Sequence, residues 1–82
     1  MPSLYILDVP EFAPLVVAAK RRSNTTVTGP FRGYYLVLVE GDFEMERAES
    51  GMTEALWFAA LTGGFEGGEL YIDGGRLRIS AT

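Results

Sequence analysis

The sequence predicts an α+β fold: a mainly antiparallel sheet of five to six strands with two helices packed on one of its faces. Two segments show the helical spacing of apolar residues, and short β-prone runs precede, separate and follow them. Glycine-rich turns join successive β-prone runs, which favours antiparallel hairpins. A chain of 82 residues has room for one core, so residues 1–82 are expected to form a single domain.

A short strand and a helix are expected first. Ser3–Leu7 is an apolar run of β-formers, which is typical of a buried strand. Asp8 can serve as an N-cap, and the prolines that follow suit a first helical turn, so the helix proper is expected from Phe12 or Ala13. The apolar positions at helical spacing then form the buried stripe, namely Phe12, Leu15, Val16 and Ala19.

The middle of the chain contains the strongest strand signal. Tyr34–Glu40 is apolar at even and odd positions alike, so both of its faces should be covered and it should lie inside the sheet. Asn24–Thr28 is β-prone and polar, and the sequence leaves open whether it joins the sheet. A turn at Gly41–Asp42 would pair the strong strand with Phe43–Glu46 and place Leu38 opposite Met45.

The second helix is expected over Ser50–Thr62, capped by Ser50 or Thr53. It is apolar on every side and carries the single tryptophan, Trp57. A helix without a polar side must be covered all round, by its own chain or by another. The glycines after it lie at the wrong helix end for a phosphate loop, so Gly63–Gly64 is interpreted as a left-handed C-cap.

The last two strands form a hairpin around Gly74–Gly75. This turn pairs Ile72 with Leu77 and Tyr71 with Arg78, so apolar and polar residues separate onto opposite faces. If Asn24–Thr28 is a strand, the order of elements approaches the ferredoxin-like, split β-α-β arrangement. Such an order predicts nothing about function.

Composition disfavours several classes of function. The chain has no histidine or cysteine, which excludes His-containing triads, thiol enzymes and the common zinc sites. Its net charge of −4 disfavours binding to nucleic acid or to anionic membranes. No apolar run is long enough to cross a bilayer and no secretory signal is recognisable, so a cytoplasmic location is expected. No cofactor, metal site or catalytic residue is predicted.

The leading functional hypothesis is a non-enzymatic interaction module or accessory subunit. A half-apolar chain of this size has more apolar surface than its thin core needs, which favours a homo-oligomer or a protein partner. Tryptophan and its neighbours are typical of interface centres. The interface candidates are the bulky residues of the second helix and two valines of the strongest strand, namely Trp57, Phe58, Leu61, Val37 and Val39.

The alternative is a domain that binds a small carboxylate or phosphate compound. Arginine next to tyrosine can orient such an anion. The candidate residues are Arg32, Tyr34, Tyr35, Arg47 and Glu54. A third hypothesis is an enzyme that uses carboxylates, since Glu44 and Glu46 share one strand face; the ordinary interpretation of that alternation is an exposed strand. On balance the residue types do not favour an enzyme.

Overall fold

Two antiparallel sheets and three α-helices form the fold in a computed structural model that describes residues 1–81. The strands are β1 Ser3–Leu7, β2 Thr25–Phe31, β3 Tyr34–Val39, β4 Phe43–Glu46, β5 Phe65–Glu66, β6 Glu69–Ile72 and β7 Arg76–Ser80. The helices are α1 Ala13–Lys20, α2 Arg47–Ser50 and α3 Glu54–Ala60. Short 3₁₀ turns precede α1 at Pro10–Phe12 and follow α3 at Leu61–Gly63.

The strands divide into a four-stranded sheet, called sheet A, and a three-stranded sheet, called sheet B. Sheet A has the order β2-β3-β1-β5, and sheet B has the order β4-β7-β6. The α+β class and the antiparallel pairing are confirmed. The prediction of one sheet of five to six strands with two helices on one face was wrong. Sheet A keeps the split β-α-β order, because β3 lies between β1 and β2.

The predicted hairpin between β3 and β4 is the cause of that error. Both edges of β3 are taken, since Leu38 lies opposite Ser3 of β1 and Thr26 of β2. Met45 of β4 lies opposite Leu77 of β7 instead. The side-chain amide of Asn24 donates to the carbonyls of Glu40 (3.1 Å) and Asp42 (2.7 Å), and so holds the chain where it leaves sheet A.

Two other strand predictions are confirmed, and one open question is answered. Strand β3 lies in the interior of sheet A, and the Asn24–Thr28 segment, which the sequence left open, contributes to β2. The last hairpin has the predicted register, with Ile72 opposite Leu77 and Tyr71 opposite Arg78. A local turn with matching apolar positions therefore sufficed to predict β6 and β7.

The helices differ from the prediction mainly after β4. Helix α1 begins at Ala13, as expected, and buries Leu15, Val16, Ala18 and Ala19. The helix expected over Ser50–Thr62 is shorter, Glu54–Ala60, and is preceded by a separate short helix, α2, which ends where Gly51 adopts a left-handed φ of 72°. Thr53 caps α3, with its hydroxyl accepting from the Leu56 amide at 3.4 Å.

The core lies between the inner faces of the two sheets and is completed by α1 and α3. Its members share near-complete burial and come from every layer, namely Leu4, Ile6, Leu15, Val16, Ala18, Ala19, Val37, Val39, Phe43, Met45, Met52, Trp57, Ala60, Leu77 and Ile79. The opposite, outer face of sheet A is not part of this cluster.

Candidate functional site

The outer face of sheet A is formed by the residues that alternate with the core positions. Leu4 and Val37 point into the core, so their neighbours along β1 and β3 point outward. The apolar residues of the outer face are Tyr5, Leu7, Phe31, Tyr34, Leu36 and Leu38. Its uncharged polar residues are Ser3, Thr26 and Thr28. Leu36 and Leu38 are half-buried and do not pack against the core, so no layer of the described chain covers them.

One charged residue belongs to this face, at the margin formed by β5. Glu66 lies opposite Ser3, and its Oε1 accepts a hydrogen bond from the Tyr5 hydroxyl at 3.1 Å. That bond, together with the negative charge of Glu66, raises the pKa of Tyr5 above its ordinary value of 10.0.

The outer face of sheet B has the opposite character. Its charged residues come from all three strands, namely Glu44, Glu46, Glu69, Arg76 and Arg78. Glu44 forms ion pairs with both arginines of β7, its carboxylate oxygens lying 3.5 Å from Arg76 Nε and 3.4 Å from Arg78 Nε. A face of this kind is stable in water. The outer face of sheet B is therefore suited to contact with water, whereas the outer face of sheet A is not.

The β2–β3 hairpin forms one end of the outer face of sheet A. Its turn is Arg32–Gly33, with left-handed φ values of 55° and 85°. Phe31, which is 72% exposed, and Tyr34, which is 38% exposed, flank the turn on the outer face. The Arg32 guanidinium lies 5.4 Å from the centre of the Phe31 ring. An aromatic pair with an arginine is a composition enriched in binding surfaces.

A shallow pocket lies beside this hairpin, on the same face. Its volume is about 530 Å³, and its lining consists of Tyr5, Thr28, Gly29, Pro30, Phe31, Tyr34 and Leu36. The walls are mostly apolar, and Arg32 is the nearest charge along the chain. The pocket and the flat part of the sheet are parts of one continuous apolar surface.

The structure places three of the five predicted interface residues inside the core. Trp57 is 0% exposed, and its Nε1 donates to the Asp73 carbonyl at 2.9 Å. Val37 and Val39 are also buried, on the inner side of β3. These side chains are covered by their own chain, so they present no surface to a partner in this fold.

The other two interface candidates lie on or near the surface of the α3 end of the fold. Phe58 is 42% exposed, whereas Leu61 is half-buried and packs against the core. Glu54, one helical turn before Phe58, is exposed as well. Phe58 is thus a single exposed aromatic ring and not the centre of an apolar helix face.

The predicted ligand-binding residues are separated into three places. Arg32 and Tyr34 lie together in the β2–β3 hairpin. Tyr35 lies on the opposite face, packs against the core, and has Lys20 Nζ 5.8 Å from its ring centre. Arg47 and Glu54 lie beside the β6–β7 turn.

Arg47 has a structural role at that turn. Its Nε donates to the Gly74 carbonyl at 2.6 Å, and an Nη donates to the Met52 carbonyl at 3.0 Å. Its own amide donates to the Gly75 carbonyl at 2.8 Å. The Glu54 carboxylate lies close to Gly74, where an added methyl group would approach Oε2 to 2.7 Å. These contacts tie the turn to the two short helices and leave Arg47 poorly placed to bind an anion.

Sequence reasoning missed Leu36, Leu38 and Phe31 as exposed apolar residues. The signal was present, because the strongest strand is apolar on both faces. The wrong β3–β4 pairing placed Leu38 against Met45 and so assigned the wrong face of β3 to the surface. A shift of pairing partner exchanges the buried and exposed sets of a strand.

The carboxylates considered for catalysis are engaged elsewhere. Glu44 pairs with two arginines, and Glu46 is exposed at the N-cap position of α2, where its amide donates to Glu49 Oε1 at 3.3 Å. Within residues 1–81, no three or more Asp or Glu side chains gather in a way that could hold a metal ion. In the same range, no helix is both long and apolar enough to cross a bilayer.

Asp73 gives a pH-dependent prediction for the sheet B hairpin. Its Oδ1 accepts from the amides of Gly75 and Arg76, both at 2.8 Å, and its Oδ2 accepts from the Tyr71 hydroxyl at 3.1 Å. The Gly75 bond first, then the Arg76 and Tyr71 bonds, lower the pKa of Asp73 below its ordinary value of 3.8. Because the folded pKa is the lower one, the ionised carboxylate stabilises the fold above pH 3.8.

This contribution is expected to disappear as the pH falls from 3.8 through the folded pKa. Urea unfolding at neutral and acidic pH should show a smaller acid destabilisation in Asp73→Asn than in the unmodified chain. The difference between the two proteins removes the common effect of the other carboxylates. Equal acid destabilisation in both proteins would contradict the assignment.

Comparison with known proteins provides no relative for this chain. No protein-family model matches the sequence, and a search of curated proteins found no significant match. The functional conclusions therefore depend on the geometry of the chain itself.

Proposed function

We propose that this chain is a non-enzymatic interaction module that associates with further copies of itself through the outer face of sheet A. The observation that carries the proposal is the contrast between the two sheets. The outer face of sheet B has five charged residues, of which Glu44 pairs with two arginines, and one exposed aromatic ring, Tyr71; that of sheet A has one charged strand residue, at its margin, and six exposed or half-exposed apolar side chains. Apolar surface on this scale is stabilised by removal from water, at about 25 cal/mol per Å².

Charge does not prevent a second copy from binding at this face. The chain has a net charge of −4, so two copies repel each other over most approaches. The middle of the outer face of sheet A adds nothing to this repulsion, because its charges lie at the margins, Glu66 in β5 and Arg32 in the β2–β3 turn. In a two-fold contact each surface patch meets its own copy, and an uncharged patch satisfies that condition without matched charges. Two such faces can pack about 10 Å apart, as sheets do in sandwiches.

The proposal predicts that a charge in the middle of the face weakens association. Leu38→Lys places an ammonium group on the outer face of the central strand without touching the core, so the fold should be retained. We expect light scattering at micromolar to millimolar concentration to show a clear fall in oligomer mass. Circular dichroism checks that the secondary structure is unchanged.

Phe58→Lys is the matched control, because it places the same charge at an exposed apolar position on α3. It should leave the oligomer mass unchanged. If Phe58→Lys reduces the mass and Leu38→Lys does not, the α3 surface is the contact and the sheet A proposal is wrong. A monomeric unmodified chain at millimolar concentration would contradict self-association altogether.

The second candidate function is the binding of a small anionic compound at the hairpin pocket. The observation in its favour is the pocket of about 530 Å³ with three aromatic walls beside Arg32. Arg32 would supply the charge, since Arg47 donates to main-chain carbonyls. A thermal-shift screen of carboxylate and phosphate compounds tests it, because a ligand of the native state raises the apparent stability. Stabilisation that persists in Arg32→Gln would contradict a role for this guanidinium.

A further inference from the structure

The free edge of sheet A differs from the other strand edges of the fold. Strand β2 forms this edge over seven residues, and none of its residues is charged. The opposite edge of sheet A, β5, is two residues long. The edges of sheet B contain acidic residues, with Glu44 and Glu46 in β4 and Glu69 in β6. Proteins protect exposed edges with charge, brevity, proline or a bulge; in β2, proline and the irregularity come only after Thr28, so Thr25–Thr28 has no charge, proline or bulge.

The register shows which main-chain groups of β2 are free. The Glu40 amide donates to the Asn24 carbonyl at 2.8 Å, which places Asn24 in a hydrogen-bonded pair with the end of β3. Hydrogen bonding alternates along an antiparallel strand, so Thr26 and Thr28 also face β3. The amides and carbonyls of Thr25 and Val27 therefore point away from the sheet, at an edge that no other described strand covers.

We propose that two copies of the chain pair antiparallel through β2, about a two-fold axis at Thr26. Thr25 of each copy then lies opposite Val27 of the other, and the two pairs make four main-chain hydrogen bonds. Thr26 lies opposite Thr26 of the second copy, a cross-strand pairing that is favourable in sheets. The irregularity between Thr28 and Phe31 ends the pairing on either side.

These features of the β2 edge favour a second copy of the chain as its partner. The pairing segment is uncharged, so it meets itself without repulsion, and its free groups fall on Thr25 and Val27, which the two-fold axis brings opposite each other. The outer-face side chains of both copies lie on the same side of the joined sheet, because the two-fold axis is perpendicular to the sheet. Sheet A thereby becomes half of a continuous eight-stranded sheet.

Edge pairing also explains how the outer face could reach a useful size. Four strands about 4.8 Å apart, with a mean length of five residues or about 17 Å, give a flat footprint of about 320 Å² per copy. Specific interfaces bury about 800 Å² of accessible surface per partner, so a single outer face is small for one. Two faces joined through β2 double the flat footprint to about 640 Å². The inference rests on the proposed self-association and adds the contact that makes it stable.

Amide hydrogen exchange in the intact protein tests the edge contact directly. Raising the concentration from micromolar to millimolar should slow exchange of the Val27 and Thr25 amides by at least about tenfold, since both become hydrogen-bonded on association. The Ile72 amide is the internal control. It points outward from the acidic edge of sheet B, because the Asp73 amide bonds the Arg76 carbonyl and the pattern alternates. Its exchange should not depend on concentration.

A single-atom change in the main chain gives an independent readout. Replacing valine at position 27 by its α-hydroxy acid substitutes an ester for the amide, which removes the outward N–H and keeps the side chain in the core. The oligomer mass at millimolar concentration should fall at least twofold. The same ester replacement at Ile72 is the matched control and should have no effect on the mass.

The outcomes separate this inference from the proposed function. Face packing stands and edge pairing is overturned if the chain associates and Leu38→Lys weakens that association, while Val27 amide exchange does not depend on concentration and the position-27 ester does not change the oligomer mass. If the ester and the exchange respond and Leu38→Lys does not, edge pairing stands and face packing is overturned. A monomer at every concentration overturns both.

Discussion

Replacing Trp57 with alanine is expected to remove most of the stability of this domain. Trp57 is the largest fully buried side chain, at 0% exposure. Truncation of a buried tryptophan costs about 3–5 kcal/mol through lost burial and the cavity that remains. It also deprives the Asp73 carbonyl of its hydrogen bond from Nε1. A domain of this length has about 4–12 kcal/mol in total, so this loss is a large share of it, and Trp57→Ala should unfold at a much lower urea concentration or be unfolded without urea.

Urea unfolding followed by circular dichroism measures this effect, with Trp57→Phe as the control. Phenylalanine keeps most of the buried ring and loses the N–H, so a smaller cost of about 1–3 kcal/mol is expected. The same pair of variants separates a core role from an interface role. A Trp57→Ala protein that unfolds at the same urea concentration as the unmodified chain, but no longer associates, would show that another chain covers the indole.

The position of Trp57 explains why the second helix is apolar on every side. Under a single-sheet prediction, one side of that helix had no layer to face, and a partner chain was the natural cover. The fold has a second sheet, and the β6–β7 turn of that sheet accepts the indole hydrogen bond at Asp73. The Leu61–Gly63 turn after α3 packs along β1 of sheet A. The helix segment is thus covered from both sheets.

Local signals in the sequence were sufficient for some elements and misleading for others. The β6–β7 hairpin was predicted in register, because its turn and its apolar alternation lie within a dozen residues. Gly41–Asp42 gave a similar local signal, yet β4 pairs with β7, whose partner residues are 30 to 36 positions further along the chain. A non-local strand pairing depends on which strand edges the rest of the fold leaves unpaired, and a single sequence contains little information about those edges.

The candidate site shows the same division. The apolar character of both faces of β3 was evident from the sequence, and so was the small number of catalytic residue types. The choice between Val37 or Val39 and Leu36 or Leu38 as the exposed pair depended on the pairing partner. The prediction of β2 as an edge strand depended on the same pairing, since in a single sheet another strand could pair with its free edge.

Gly63→Ala is expected to have the next largest effect on the fold. Gly63–Gly64 was interpreted as a left-handed helix cap, but the Gly63 backbone does not adopt a positive φ. Glycine is needed at this position because there is no space for a side chain. A methyl group at Gly63 would overlap the Tyr5 carbonyl oxygen of β1 and lie 3.3 Å from Tyr34 Cε1. A main-chain carbonyl within a paired strand cannot rotate away, so the 3₁₀ turn after α3 must shift from sheet A, at a cost of about 1–3 kcal/mol or more.

Gly75→Ala is the matched control, because it also lacks a positive φ and its nearest neighbour, Asp73 Oδ1, would be 3.8 Å from the new methyl group. There the reduced freedom of the unfolded chain should make the change neutral or stabilising by up to about 1 kcal/mol. Thermal and urea unfolding of the two variants give the comparison. Equal stabilities would show that the close approach of Gly63 to β1 is absent in solution. A destabilised but folded Gly63→Ala should also associate more weakly, because Tyr34, the side chain displaced with the turn, belongs to the outer face of sheet A.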